Sequence, residues 1–412
     1  MNVLNLLNSA YKVVTVYNES DLGKVPLSGV AEFVAKVINL FSFGGSIAVG
    51  ILLFSLLLKI LPLPLDIYSR ASAKKGALKM EKMRPQLEKL QRQYANNNAL
   101  YQQKVMALYK REGYSQFAAC LPTLITLIFF IVIINAFTQY SSYAKINTFN
   151  EMAIAYSNDI KVNKYVENRY YNILNDGSLQ ILEKGDTSGA YNGYFFDEEK
   201  YQSEGTFDTL VIKPAQDAAA ERYFELNENT KFLWVKNIWV EDLPWKKAFI
   251  SKEDYLNKTF TYSKGCSAKN INSSIKNEEA YDIIMGSSKL DEVKNQSNGY
   301  LILVLLSIAS MFISQLIMSK SQKSQLELQS VDGANGTAAQ TTKMMMWMMP
   351  LMFGVFSFMY TASFSLYLIV STLFSTVSTY FINIFVEKSF QKKLQKEEDE
   401  KYNKRYGHIT KK

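Results

Sequence analysis

The sequence predicts a mainly α-helical polytopic membrane protein with five transmembrane helices, a cytoplasmic helical hairpin and a mixed α/β extracytoplasmic insertion. The 412-residue chain is 48% hydrophobic and only 20% charged, so its mean hydropathy of −0.08 averages two kinds of segment. Charged residues are almost absent from five segments and crowded between them. Several of these segments approach or exceed the roughly 18 consecutive apolar residues of a membrane-crossing helix. These observations exclude a soluble globular enzyme.

The apolar segments define five predicted spans. Residues 344–386 are apolar over 43 positions, which is too long for one crossing. They are therefore predicted to fold back as two spans, with a turn at Thr361-Ala362-Ser363. The predicted spans are residues 47–65, 117–138, 298–318, 342–360 and 363–386.

Two long polar segments separate the spans. Residues 66–116 carry 11 Lys and Arg against 4 Asp and Glu, with apolar residues at helical spacing on both sides of Asn96-Asn97-Asn98. This pattern predicts a charged helical hairpin. The 159 residues 139–297 are numerous enough for a separate domain. Alternating pieces within it, such as Thr206–Ile212, predict strands.

The remaining segments are shorter. Residues 1–46 form an N-terminal extracytoplasmic segment, and apolar residues between Val30 and Phe41 predict an amphipathic helix at a membrane surface. Residues 319–341 are rich in Gly, Ala, Thr and Gln, which predicts a flexible loop. Residues 387–412 contain 9 Lys and Arg against 5 Asp and Glu and predict a basic, solvated or disordered tail.

The charges also predict an orientation. Since cytoplasmic loops carry an excess of Lys and Arg, the hairpin, the 319–341 loop and the tail are expected in the cytoplasm. Five crossings then place the N-terminus and residues 139–297 outside, where 24 acidic residues outnumber 19 basic ones. The expected location is the bacterial cell membrane.

Several chemistries find no support in the residues. Cys120 lies in an apolar segment and Cys266 in a polar one, so no disulfide framework follows. His408 is the only histidine, which argues against a zinc or haem site and against a His-dependent triad. There is no Gly-rich phosphate loop. No cofactor, metal site or catalytic residue is therefore expected.

Lys59 is the most informative residue of the first span. At about 1.5 Å per residue, it lies roughly 9 Å from the cytoplasmic end of the span and roughly 18 Å from the other end. A charge at the centre of a span costs roughly 2.5–3.5 kcal/mol, and such residues mark functional sites. Ser55 lies one turn away on the same face. The alternative is that Lys59 only extends to the cytoplasmic headgroups.

The fifth span is rich in hydroxyl groups. One stripe contains Thr372, Thr376, Thr379 and Asn383, and an adjacent one begins with Tyr367 and Ser371. The stripes predict either one wall of a water-filled cavity or close packing of helices through Ser and Thr. Weaker examples occur in the second and third spans. The candidate groove residues are Lys59, Ser55, Thr123, Thr126, Ser314, Gln315, Tyr367, Ser371 and Thr372.

The order and spacing of several motifs resemble the YidC/Oxa/Alb family of membrane protein insertases. The matching segments are FSLLLKILPLPL (54–65), KMRPQLEKLQRQY (82–94), QQKVMALYKREG (102–113), ACLPTLI (119–125), FLWVKNIW (232–239), KMMMWMMPLMF (343–353) and FSLYLIVSTLFS (364–375). The family's usual basic residue on the first core span is Arg, and Lys59 occupies the matching position. The charge is kept, but the two-pronged geometry of a guanidinium is lost.

The resemblance implies a function. A hydrophilic groove, open to the cytoplasm and to lipid, would receive the short polar tail of a nascent membrane protein without nucleotide hydrolysis. Lys59 would offset the desolvation of acidic groups in that tail. The substrate's apolar segment would then partition into lipid along the third and fifth spans. The implied partners also include the ribosome, the signal-recognition system and the Sec translocon, with no direct nucleic-acid specificity.

Two other classes of protein remain open at this point. A secondary transporter or channel would also place polar residues within spans, although no inverted repeat is detectable. A membrane-anchored extracellular enzyme would place its function in residues 139–297, where no catalytic constellation occurs.

Overall fold

Helices account for most of the computed structural model. The structure describes residues 11–19, 22–23, 25–27, 29–114, 117–168, 170–173, 179–182, 193–197, 201, 203–257, 280–321, 344, 348, 351–352 and 354–406. Its helices are α1 (Gly29–Leu40), α2 (Ile47–Ile60), α3 (Leu63–Gln93), α4 (Asn98–Arg111), α5 (Phe117–Val162), α6 (Lys213–Glu228), α7 (Asp291–Asn295), α8 (Ile302–Ser321) and α9 (Ala362–Tyr406). Its strands are β1 (Tyr11–Thr15), β2 (Val166–Asn168), β3 (Tyr170–Ile173), β4 (Leu179–Leu182) and β5 (Gly193–Asp197).

The chain divides into two compact units. Unit 1 contains Met1–Ala48, Asn135–Leu301 and Thr361–Ser363. Unit 2 contains Val49–Ile134, Ile302–Tyr360 and Phe364–Lys412.

The core of unit 1 lies between a small sheet and two helices. In the sheet, β5 lies between β1 and β2 in antiparallel register, with Val14 opposite Tyr194. In α5, Phe149 and Tyr156 are fully buried at helical spacing, and Tyr223 of α6 joins the same apolar cluster. Each large apolar side chain buried in this way contributes roughly 1.5–3 kcal/mol to stability. The cluster thus holds the sheet and both helices together.

The predicted strand at Thr206–Ile212 is wrong. Asp208–Ile212 forms a π-helical turn that leads directly into α6. The Thr209 hydroxyl caps this turn, since it accepts a 2.9 Å hydrogen bond from the Thr206 N–H. Pro214 lies in the first turn of α6, where the fixed φ of proline suits helical backbone. Local capping therefore overrides the alternating pattern.

The predicted amphipathic helix near Val30–Phe41 is confirmed as α1. Its buried side chains include Val34 and Ile38, whereas Phe33 is 60% exposed. The helix therefore has one apolar face in the core of unit 1 and further apolar residues on its outside. The membrane contact predicted for it remains a prediction.

Asn298 organises the segment that precedes α8. Its Nδ2 lies 2.9–3.1 Å from the carbonyl oxygens of Asn237, Val240 and Glu241, and its Oδ1 accepts a 2.8 Å bond from the Asn237 N–H. The side chain is fully buried, so these bonds satisfy groups that water cannot reach. Val240 also accepts a 2.9 Å bond from the N–H of Ala362. Three separated parts of unit 1 are thereby tied together.

Tyr140 supports the same region from α5. Its hydroxyl donates a 3.0 Å hydrogen bond to Asn39 Oδ1, and its ring meets that of Trp239 edge-on, with centroids 4.6 Å apart. Burial raises the pKa of Tyr140 to about 12, so the hydroxyl remains a donor at neutral pH. This arrangement fixes α1 and the 237–240 segment against α5.

The span predicted as 47–65 is interrupted: α2 ends at Ile60 and α3 begins at Leu63. The chain then bends, and α2 and α3 meet at an angle of 40°. Pro62 precedes α3 and Pro64 lies in its first turn. Because proline lacks the N–H that a continuous helix requires, the two prolines account for the break.

The Asn triplet predicted as a turn does separate two helices. The Asn97 Oδ1 accepts a 3.1 Å hydrogen bond from the Leu100 N–H and thereby caps α4. Between the two helices, Leu87 is fully buried against Tyr101 and other apolar residues. The α3–α4 hairpin therefore has an apolar core of its own.

One helix among the described residues, Ala362–Lys401, is long and apolar enough by itself to cross a membrane. The bent pair of α2 and α3 also passes this test, and α8 contains a shorter apolar helix, Ile302–Ile317. These findings agree with a membrane protein. The five crossings and their orientation remain predictions.

The tail differs from the prediction in one respect. Helix α9 continues through residues 387–406, where most described side chains are exposed. The tail is therefore solvated but helical up to Tyr406. Most of the predicted loop at 319–341 and much of the predicted fourth span lie outside the described residues.

Candidate substrate groove

Lys59 and Ser55 lie one turn apart near the end of α2. Ser55 is fully buried, and its Oγ donates a 2.6 Å hydrogen bond to the Ile51 carbonyl oxygen. Its hydroxyl is thus satisfied within its own helix. Lys59 is partly buried in the last turn.

The hydroxyl stripes of α9 make contacts within unit 2. The Thr376 hydroxyl lies 2.7 Å from Ser314 Oγ on α8 and 2.7 Å from the Thr372 carbonyl oxygen. Tyr367 is buried and hydrogen-bonded to Ser371 one turn away. The structure therefore brings Ser314 together with the turn of α9 that contains Thr372.

Three further candidates lie on α5 and α8. Thr123 and Thr126 lie on α5, but their side chains are outside the described set. Gln315 is partly buried on α8 beside Ser314. Their membership of a groove stays a prediction.

A buried serine cluster joins three segments of unit 2. The Ser357 Oγ lies 2.6 Å from Ser307 Oγ and 2.9 Å from Ser365 Oγ, and all three residues are fully buried. Small hydroxylated residues allow apolar helices to approach closely while they satisfy one another. The sequence analysis missed this cluster, although isolated serines in apolar segments are the signal that could have found it.

A second charged group lies on α3. Arg70 donates a 2.7 Å hydrogen bond to Thr379 Oγ1 and a 3.3 Å bond to Asn383 Oδ1, both on α9. One turn further on, Lys74 Nζ lies 2.6 Å from Glu387 Oε2. The spacing of four residues on both helices explains why the two contacts form in parallel.

Asp66 connects these cations electrostatically. It lies one turn before Arg70 on α3, and it interacts with the charges of both Lys59 and Arg70. All three side chains are partly buried, where charges interact more strongly than in water. Asp66 and Arg70 fall within the predicted charged hairpin, 66–116, so their relation to Lys59 was not predicted.

Among the described residues, no group of three or more His, Cys, Asp and Glu side chains could hold a metal ion. The polar groups described in this region are hydroxyl groups, amides and the charged side chains of Lys59, Asp66 and Arg70. Such groups can hydrogen-bond a polar peptide segment and attract carboxylates.

Comparison with known proteins identifies the family. The family model described as 60Kd inner membrane protein matches residues 39–179 and 218–389. The chain belongs to this family. The resemblance to YidC/Oxa/Alb proteins is thereby confirmed. All nine candidate groove residues, together with Asp66, Arg70 and Thr379, lie inside the matched ranges.

Relatives of this family carry the name membrane protein insertase YidC. A Streptococcus pyogenes serotype M3 relative is 36% identical over 119 residues, which are 28% of this chain and 42% of the relative. A Clostridium perfringens relative is 34% identical over 106 residues, 26% of this chain and 42% of the relative. A Treponema denticola relative is 30% identical over 118 residues, 29% and 19% of the two chains. The alignments with the first two thus span about two fifths of each relative. No solved structure matches the chain.

Proposed function

We propose that this chain is a membrane protein insertase and chaperone that works without nucleotide hydrolysis. The observation that carries the proposal is the family match over residues 39–179 and 218–389, together with relatives that are named insertases. The polar and charged side chains of α2, α3, α8 and α9 are consistent with it, since a groove for peptide tails needs hydrogen-bonding groups within an apolar surface.

The proposed groove is lined by the nine candidate residues. The short hydrophilic tail of a nascent membrane protein enters from the cytoplasm, and Lys59 attracts its acidic groups. The apolar segment of the substrate then moves into lipid along α8 and α9, driven by its own transfer free energy. The groove lowers the cost of moving the tail, because hydroxyl groups and a charge replace part of its hydration.

The proposal includes a topology and partners. The five spans, with the N-terminus and residues 139–297 outside and the tail inside, place the α3–α4 hairpin in the cytoplasm. There, its basic surface is available to the ribosome, the signal-recognition system and the Sec translocon.

Conditional depletion tests the proposed function. A bacterial strain whose own insertase is depleted is supplied with this chain, and protease mapping follows the insertion of small single-span proteins. Restored protection of their translocated tails is the expected result. Normal abundance of the chain in the membrane without any restored insertion would contradict the proposal. Ion flux through the purified protein in liposomes would instead favour a channel.

A further inference from the structure

We propose that Asp66 and Arg70 form, with Lys59, a charge triad that determines which charged tails the groove accepts. This inference rests on the proposed function and assigns the selectivity of its groove. In the triad, the Asp66 carboxylate lies in the field of two cations and offsets part of their positive charge. An acidic tail then competes with Asp66 for the two cations.

Arg70 is held in position by two neutral groups of α9. Its guanidinium is held on α9 by the Thr379 hydroxyl at 2.7 Å and the Asn383 amide oxygen at 3.3 Å. Both acceptors are neutral, so these bonds orient the guanidinium without cancelling its charge. A guanidinium has five N–H donors, which leaves donors for a carboxylate.

Asp66 lies in the first turn of α3. It lies four residues before Arg70 on α3, and its carboxylate interacts with the charges of both Arg70 and Lys59. An Asp four residues before an Arg faces it across one helical turn. The break after Ile60 starts α3 just ahead of Asp66, which therefore lies in the first turn of α3.

The next turn of α3 carries a cation with a different kind of partner. Lys74 lies there with Glu387 at 2.6 Å, as a direct ion pair between side chains that are 35% and 48% exposed. That cation has a full carboxylate partner, whereas Arg70 is bound to neutral groups. Lys74 therefore provides a matched control of the same sign on the same helix.

The test measures insertion of one single-span substrate with three tails that carry two Asp, two Asn or two Lys residues. The full-length protein is used, and each result is normalised to its abundance in the membrane. Asp66→Asn is expected to raise the ratio of acidic-tail to neutral-tail insertion by about three- to tenfold and to lower basic-tail insertion. Arg70→Gln is expected to lower the acidic-to-neutral ratio by a similar factor. Lys74→Gln should leave the acidic-to-neutral ratio and the basic-to-neutral ratio of insertion unchanged.

A purely structural role of Arg70 gives a different pattern. If the residue only ties α3 to α9, Arg70→Gln and Thr379→Val would reduce the insertion of all three tails in parallel, and the ratios would stay constant. That result, together with an unchanged ratio in Asp66→Asn, would overturn the proposal. If Arg70→Gln fails to accumulate, Arg70→Lys and Asp66→Asn decide instead. The first should keep the wild-type ratio, and the second should change it.

A binding measurement separates this inference from the proposed function. Synthetic acidic, neutral and basic tail peptides are bound to the purified full-length protein in lipid nanodiscs. One outcome is that the chain inserts no substrate, yet the Asp66 and Arg70 variants still change peptide binding in the expected direction. In that case the proposed function fails and the triad stands. If the chain inserts substrates and neither ratio responds to the three variants, the triad fails and the proposed function stands.

Discussion

The Arg70 guanidinium on α3 donates a 2.7 Å hydrogen bond to the Thr379 hydroxyl on α9, which joins residues 309 positions apart in the chain. The contact attaches the beginning of the hairpin to the last helix. Further along α3, Met83 and Leu87 instead pack against α4, within the hairpin itself. The hairpin is therefore attached to α9 through Arg70. Its apolar core lies further along α3 and does not include that contact.

Deletion of residues 71–110 is expected to leave a folded, membrane-inserted protein with impaired insertion. The deletion removes both halves of the apolar core between α3 and α4 together, so it exposes little new apolar surface elsewhere. Arg70 and its bond to Thr379 remain. Membrane abundance and thermal stability in detergent measure folding, and protease mapping of substrates measures insertion.

The matched control for this deletion is Leu87→Ala, which leaves both helices but opens a cavity between them. Large-to-small changes at fully buried leucines cost about 2–5 kcal/mol, so the hairpin alone should become protease-sensitive. A degraded or aggregated deletion protein would show that the hairpin is required for the fold of the rest.

Some helix ends and turns could be predicted from the sequence. Pro62 and Pro64 explain the break after Ile60, since neither can donate a backbone hydrogen bond, although the predicted span continued unbroken to residue 65. The start of α4 follows from Asn97, whose side chain caps it. At Thr206–Ile212 the alternating pattern was misleading, because a threonine cap and a proline at the next helix start specify helical backbone.

Long-range pairing was not predictable in the same way. The stripe that contains Thr379 and Asn383 was visible in the sequence, but its partner could be lipid, water or any polar residue. Arg70 lies in a segment whose charge pattern is typical of a solvent-exposed helix. No neighbouring sequence feature predicts its contact with α9. Likewise, the pairing of Ser314 with Thr376 depends on how α8 and α9 pack, which their patterns alone leave open.

The topology predicts which residues react with impermeant reagents. Cys266 lies in the segment predicted to be outside, so it should be labelled by an impermeant maleimide in intact cells. A cysteine engineered at Asn97, between α3 and α4, should be labelled only after the membrane is permeabilised. The opposite labelling pattern at the two positions would show that the orientation is the reverse of the predicted one. Labelling of both positions in intact cells would contradict the predicted crossing between them.

Gly299→Ala is expected to destabilise unit 1 by about 3 kcal/mol, as an overpacking change that cannot relax easily. A Cβ at this position would lie 1.7 Å from Asp242 Oδ1 and 3.1 Å from its Cα. The same Oδ1 accepts a 2.9 Å bond from the Tyr300 N–H, so moving the side chain breaks that bond. Thermal unfolding in detergent measures the effect.

Gly44→Asn provides the control for that substitution. This position has a φ of 66° with open space around it, and Asn tolerates such a backbone conformation better than other residues with a Cβ. Its effect should be well below 1 kcal/mol. Equal stability of the Gly299→Ala and wild-type proteins would show that the 242–300 contact is looser than the structure indicates.

Lys59 provides the most direct test of the charge hypothesis for the groove. Lys59→Arg should retain activity because the positive charge is kept. Lys59→Ala and Lys59→Glu should impair insertion, most severely for substrates with acidic translocated tails. Complementation of a depleted strain, scored together with the amount of folded protein, measures both activity and stability.

The stability readout decides between function and structure at this residue. Removal of a charge from a membrane span lowers the cost of burial, so Lys59→Ala should be as stable as wild type or more stable. A lysine that only extends to the headgroups would give near-normal insertion of every substrate in the Ala variant. Full complementation by Lys59→Glu at normal abundance would refute the charge hypothesis. The hydroxyl groups of α8 and α9 would then have to provide the groove's polarity, and Thr376→Val, which removes the contact with Ser314, would become the decisive substitution.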